Sequence, residues 1–187
     1  MPFIDKSFLL DETESVNRLL ITSADDSNVV NTSFEIAKIF QQKGNSVLWI
    51  DGNLGEHLPE IFSVENPDLE SVLLGKLPLT HALQKKEGIS ILTGNSNHFL
   101  GELPDIIQYQ FLRDLSSIYM NFDKIVFAVD GTNQVLQKKW MKESEDIYLL
   151  FNSKNLFLNR TSLWLKENAS LVKGLIGIGK NDAFFYQ

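Results

Sequence analysis

The chain has 187 residues, 43% of them hydrophobic and 22% charged, a profile that fits one folded domain and excludes a disordered or fibrous protein. Its 24 acidic and 17 basic residues give a formal charge of −7, which repels nucleic-acid phosphates and anionic lipid surfaces, so no nucleic acid is expected as a partner. The absence of Cys excludes disulfides, thiolate nucleophiles and Cys-based metal sites. No apolar run reaches the roughly 18–20 residues of a membrane-spanning helix, and Met1–Asp5 lacks the basic-then-apolar pattern of a secretory signal. A cytoplasmic protein without stable membrane insertion is therefore expected.

Along the chain, short apolar runs alternate with amphipathic segments, the pattern of βαβ units around a parallel sheet. Arg18–Thr22 reads as a first buried strand. Thr32–Lys43 reads as a helix with an apolar stripe of Ile36, Ala37, Ile39 and Phe40, ended by Gly44-Asn45. Val47–Asp51 is a second strand. Leu69–Leu74 and Leu79–Lys86 are candidate short helices, and Ile89–Thr93 is a third strand. Pro104–Asn121 is the longest predicted helix, with Ile107, Phe111, Leu115 and Ile118 on one face. Lys124–Val129 is a strand, Gln134–Lys142 a helix, Ile147–Phe151 a strand, Phe157–Glu167 a helix and Leu171–Ile178 a last strand. Lys138, Lys139 and Lys142 are followed at once by Glu143, Glu145 and Asp146, which reads as a solvated helix end rather than a nucleic-acid patch. In such a sheet, ligands bind beyond the carboxyl ends of the strands. The junctions that matter are residues 22–32, 51–57, 93–101 and 129–134.

The segment Leu19–Gly55 resembles the start of the MinD/ParA family of P-loop ATPases, which includes the flagellar-number regulator FlhG and relatives in polysaccharide export. That family has a strand ending in Thr-Ser, a deviant Walker A loop with two lysines, a helix ending in Gly and a strand ending in Asp-x-Asp-x-Gly. The matching pieces here are Leu19-Leu20-Ile21-Thr22-Ser23, the helix through Gly44, and Val47-Leu48-Trp49-Ile50-Asp51-Gly52-Asn53-Leu54-Gly55. Downstream, Leu69–Ala82, Gly88–Ser96, Phe122–Val126 and Ser144–Phe151 resemble later family segments in the same order, so the likeness covers residues 18–178. The resemblance implies one α/β domain with a mostly parallel central sheet flanked by helices, spanning residues 18–180. An N-terminal extension (1–17) and a short tail (181–187) flank it. The family's further C-terminal elements have no counterpart, so the fold is expected to be truncated there.

The resemblance also exposes a degenerate loop. A working loop needs glycines whose backbone N–H groups wrap phosphate, a lysine for the terminal phosphates and Ser/Thr for Mg²⁺. The stretch Ser23-Ala24-Asp25-Asp26-Ser27-Asn28-Val29-Val30-Asn31-Thr32-Ser33 has neither Gly nor Lys. Counting from either flanking strand puts the main lysine's position at Val29 or Val30. Asp25 and Asp26 would repel a triphosphate: one like-charge contact at 4 Å costs about 1 kcal/mol in water and about 4 at an effective dielectric of 20. Thr32 stands near the Mg²⁺-ligand position, although it also suits a helix cap with Glu35 three residues on. Asp51 stands where the family has an acidic residue that positions Mg²⁺ or water. The acid expected two residues later is replaced by Asn53. The acid of the later strand falls at Ala128, two residues short of Asp130. Asp51 and Asp130 also fit turns before Gly52 and Gly131.

His57, His81 and His98 show no metal-ligand spacing, so no metal is expected. Trp49, Trp140 and Trp164 are expected as core or interface residues rather than stacking platforms for bases. The reading is a non-catalytic MinD/ParA-like partner-binding protein with no cofactor. Its partner would be an active homologue or a component of an envelope machine, through which it could be recruited to the inner membrane. The alternative is a divergent protein of the same family that binds Mg-ATP weakly or is a weak ATPase, with a partner supplying lysine. Phe3, Phe8, Leu9 and Leu10, together with Phe184, Phe185 and Tyr186, are the candidate docking segments.

Overall fold

The largely apolar runs read from the sequence become inner strands buried on both faces, as parallel sheets require. The computed structural model describes residues 13, 15–24, 29–52, 69–93, 103–131, 134–152, 159–178 and 183–186. In chain order these form β1 (Arg18–Ser23), α1 (Val29–Gln42), β2 (Val47–Asp51), α2 (Leu69–Leu73), a 3-10 turn (Leu79–His81), β3 (Leu83–Lys86) and β4 (Ile89–Leu92). Then follow α3 (Asp105–Ile118), a second 3-10 turn (Tyr119–Asn121), β5 (Lys124–Val129), α4 (Gln134–Glu143), β6 (Asp146–Asn152), α5 (Asn159–Asn168), β7 (Gly174–Ile178) and β8 (Ala183–Tyr186).

The strands make one 8-stranded sheet in the order β3-β4-β2-β5-β1-β6-β7-β8. All neighbours pair in parallel except the two edges, β3 on β4 and β8 on β7. Side chains alternate between two cores. Leu20, Leu48, Ile50, Ile125, Phe127 and Leu149 pack under α2, α3, α4 and α5 through Leu73, Phe111, Leu115, Trp140 and Trp164. Leu19, Ile21, Trp49, Val126 and Leu150 face the other way, onto Val29, Phe34, Ala37 and Phe40 of α1. The three tryptophans lie in these cores, as expected.

Several local expectations change. The helix expected from Thr32 begins at Val29, because Val29 packs into the core and draws the first turn onto the sheet. Thr32 therefore sits inside the helix and is not its cap. Gly44 ends the helix as expected, at φ 92°. Its N–H donates to the Gln41 carbonyl (2.9 Å) and that of Asn45 to the Phe40 carbonyl (3.2 Å), the bond pair of a Schellman ending. The helix expected over Leu79–Lys86 is a 3-10 turn followed by β3. Glu87 (φ 51°) and Gly88 (φ 83°) form a two-residue turn that folds β3 back onto β4. The tail expected at 181–187 contributes β8, which pairs antiparallel with β7 and extends the sheet past residue 180.

The end of the N-terminal extension is fastened to the domain. Lys124, 6% exposed, donates from Nζ to the Thr13 carbonyl (3.0 Å) and the Val16 carbonyl (2.6 Å), and lies over the Phe40 ring. The candidate docking residues Phe3, Phe8, Leu9 and Leu10 lie outside the described residues. The backbone of Phe184, Phe185 and Tyr186 belongs to β8.

Candidate functional site

β1 and β2 are separated by β5, while β6 lies on the opposite side of β1, so crossovers leave the sheet centre in both directions. The carboxyl ends of β1, β2, β4 and β5 therefore converge where an open α/β sheet builds its ligand crevice. This brings together Thr22, Ser23, the start of α1, Asp51, Thr93 and Asp130. Asp25, Asp26, Ser27 and Asn28 of the expected loop lie outside the described residues, as do His57 and His98.

At the opening of α1, Val29 is 2% exposed and packs in the core, whereas Val30 is partly buried, Asn31 exposed and Thr32 partly buried. The lysine position thus falls on a hydrophobic contact in one register and on a half-buried Val in the other. The nearby hydroxyl of Ser33 donates to the Val30 carbonyl (2.9 Å) and accepts from Trp49 Nε1 (2.9 Å).

Asp51 is 1% exposed, and its Oδ2 accepts from the Thr93 hydroxyl at 3.1 Å. The sheet register sets Ala128 directly beside Asp51. The acidic position of the later strand is thus occupied by a methyl group, and Asp130 lies beyond the strand end, partly buried.

The sequence reading missed the residue that links these ends. Gln137 of α4 is 2% exposed. Its Nε2 donates to Thr22 Oγ1 (2.7 Å) and to the Ser23 carbonyl (2.8 Å), and its Oε1 accepts from Trp164 Nε1 (2.8 Å). Thr22 Oγ1 in turn donates to the Val129 carbonyl at 2.7 Å. Three residues along the same helix, Trp140 Nε1 donates to the Gly52 carbonyl at 2.8 Å, and the Gly52 N–H donates to the Ala128 carbonyl at 2.6 Å. Glycine is needed at both turns. A Cβ on Gly52 would come within 2.8 Å of the Ala128 carbonyl oxygen, and one on Gly131 within 2.5 Å of the Ala24 carbonyl carbon. The available signal was the amide of Gln137 on the face that also carries Leu136, Trp140 and Met141.

Mg-ATP is the ligand the resemblance implies. At this end α1 opens on the core residue Val29, and the hydroxyls of Thr22, Ser33 and Thr93 are bonded within the protein, while residues 25–28 of the loop that would meet its terminal phosphates lie outside the described residues. Among the described residues, no group of His, Asp or Glu is placed to hold a metal ion. The exposed His81 stands in the 3-10 turn, on another part of the fold. A separate groove of about 370 Å³ lies between α2 and α3, lined by Val72, Leu77, Ile107 and Phe111. It belongs to the helical layer and not to the strand ends. No helix among the described residues is long and apolar enough to cross a membrane.

No family model and no curated protein matches the chain. Solved structures do. The VpsO kinase domain superposes with TM-score 0.71 at 19% identity, covering 90% of this chain and 88% of its own. Cobyrinic acid a,c-diamide synthase from Mycobacterium smegmatis, with a bound ATP analog and magnesium, gives 0.66 at 19% identity, over 87% of this chain and 75% of that one. The cell division ATPase MinD of Pyrococcus furiosus gives 0.60 at 17% identity, over 85% and 70%. The likeness is one of fold: a mostly parallel α/β sheet flanked by helices, of the kind found in MinD-type P-loop ATPases.

Proposed function

We propose that this chain is a non-catalytic MinD/ParA-like protein, related to the FlhG branch, that keeps the fold as a recognition surface and acts by binding protein partners. The observation that carries this reading is the opening of α1. Neither Gly nor Lys occurs in residues 23–33, and the two candidate lysine positions are Val29 and Val30, the first of them in the core. Two carboxylates, Asp25 and Asp26, precede them in the sequence. A phosphate cradle needs backbone amides freed by glycine and a cation for the terminal charge. The partner is an active homologue or a component of an envelope machine such as a flagellum, pilus, division apparatus or polysaccharide exporter. The protein is cytoplasmic in this reading and reaches the inner membrane only through that partner.

A second reading is favoured by Asp51 and Thr93, whose buried pair stands at the strand ends where the family positions Mg²⁺. In it, the chain binds Mg-ATP weakly and a partner subunit supplies the missing cation. Titration calorimetry of the purified protein with Mg-ATP separates the two. The first reading expects no binding heat and no rise in melting temperature at millimolar nucleotide. Binding tighter than about 100 μM, equivalent to a stabilisation of about 1.4 kcal/mol at tenfold excess, would overturn it.

A further inference from the structure

We propose that Gln137 is the keystone of the sheet's carboxyl end, and that its amide holds the ends of β1 and β5 in one arrangement without any ligand. The inference rests on the non-catalytic reading, in which nucleotide does not order these strand ends, and it names what replaces that role.

Donation runs in one direction through four elements. Trp164 of α5 donates to Gln137 of α4, Gln137 to Thr22 of β1, and Thr22 to the Val129 carbonyl of β5. A chain of buried hydrogen bonds polarises along its length. Both amide hydrogens of Gln137 are used, the second on the Ser23 carbonyl. Thr22, Ser23 and Val129 are 0% exposed, so water does not compete for these groups. Trp140 extends the grip of α4 to the end of β2 through the Gly52 carbonyl. Gly131 completes it, pressing the turn after β5 against the Ser23–Ala24 backbone.

Segments that switch come from the low-stability part of a fold, with few buried contacts. This end has the opposite character. Moving β1 away from α4 would leave both amide hydrogens of Gln137 buried without their acceptors, at the full desolvation cost of that group. The ends of β1 and β5 are therefore held in one arrangement, whether or not nucleotide is bound.

Hydrogen exchange read by mass spectrometry tests this on the full chain, with wild type, Gln137→Met and Trp164→Phe each measured with and without millimolar Mg-ATP. Met keeps the length and apolar stem of Gln while deleting its donors and acceptor. The expected result is exchange at least about tenfold faster over residues 19–24 and 125–131, with the β3–β4 hairpin unchanged. Trp164→Phe, which removes one bond at the end of the chain, is expected to speed the same segments by a few-fold. Unchanged exchange in Gln137→Met overturns the keystone; should that variant fail to fold, unchanged exchange in Trp164→Phe does so. Slower wild-type exchange with Mg-ATP at residues 29–32 instead overturns the non-catalytic reading, while the nucleotide-free comparison still judges Gln137.

Discussion

The two ends of the parallel sheet are joined by different chemistry. At the carboxyl end the contacts among the described residues are mostly neutral and buried: Thr22 to Val129, Gln137 to Thr22, Trp140 to Gly52, with Asp51, accepting from Thr93, as the acidic member. At the amino end the groups are charged and, apart from the buried Lys124, nearer to water. Glu145 accepts from the Asn17 amide (2.9 Å) and from Arg18 (3.1 Å), Asp123 accepts from the Ser46 amide (2.8 Å) and hydroxyl (2.6 Å), and Lys124 clasps the Thr13 and Val16 carbonyls. Among the described residues, the strand ends where an open α/β sheet receives a ligand are thus built like a core. Neutral buried hydrogen bonds are strong when complete and expensive to break, and they are insensitive to salt and pH. Exposed ion pairs are weak and screened.

The largest effect is expected from Trp140→Ala. Trp140 is fully buried, stacks on Phe127 at 5.1 Å and holds Gly52. Its removal is expected to cost about 3–5 kcal/mol, read by urea or thermal unfolding. Trp140→Phe keeps the stacking ring and loses the bond, so about 1 kcal/mol is expected. If both variants cost the same, packing is not what holds this end. Gly131→Ala should follow at about 1–3 kcal/mol, since the new methyl meets backbone that cannot step aside. At the amino end, Lys124→Met keeps the stem over Phe40 but removes the donor to the Thr13 and Val16 carbonyls. A loss of about 1–3 kcal/mol, with faster proteolysis within residues 1–17, is expected. Unchanged proteolysis would mean that Lys124 does not fasten the arm.

What the sequence disclosed follows from the range of the forces involved. The inner strands were legible because strands buried on both faces must be apolar throughout, as Val47–Ile50 and Lys124–Val129 are nearly so. The end of α1 was legible because Gly44 carries its own conformational signal. β3 was missed because Leu-Gln-Lys-Lys lies at an edge with partly exposed side chains and shows no apolar alternation; the informative residues were the turn pair Glu87-Gly88. The start of α1 was misplaced because Thr32 and Glu35 imitate a capping box, while the burial of Val29 against the sheet decided the matter. Asp51 was legible only as the residue on which the apolar run of β2 ends. Gln137 was not, because its partner Thr22 is 115 positions away and only the fold brings them together.

The smallest effect sharpens the contrast through pH. Ser46, through its hydroxyl and then its amide, holds the Asp123 carboxyl below its ordinary value of 3.8. Burial pushes Glu145 upward, but the Asn17 amide and the Arg18 guanidinium outweigh it and hold that carboxyl below 4.5. Both folded values are depressed, so the native state binds fewer protons than the unfolded chain. Their stabilisation is complete above the unfolded values and is lost as pH falls through 4.5 and 3.8 towards the lower folded ones. Glu145→Gln combined with Asp123→Asn should therefore lower the melting temperature slightly at neutral pH and flatten its decline between about pH 5 and 3. Gln137→Met, which removes no titrating group, should displace the curve by the same amount at each pH. Curves for the carboxylate variant that run parallel to wild type through the acid range would show that the amino end is not held by charge, and the division between the two ends would disappear.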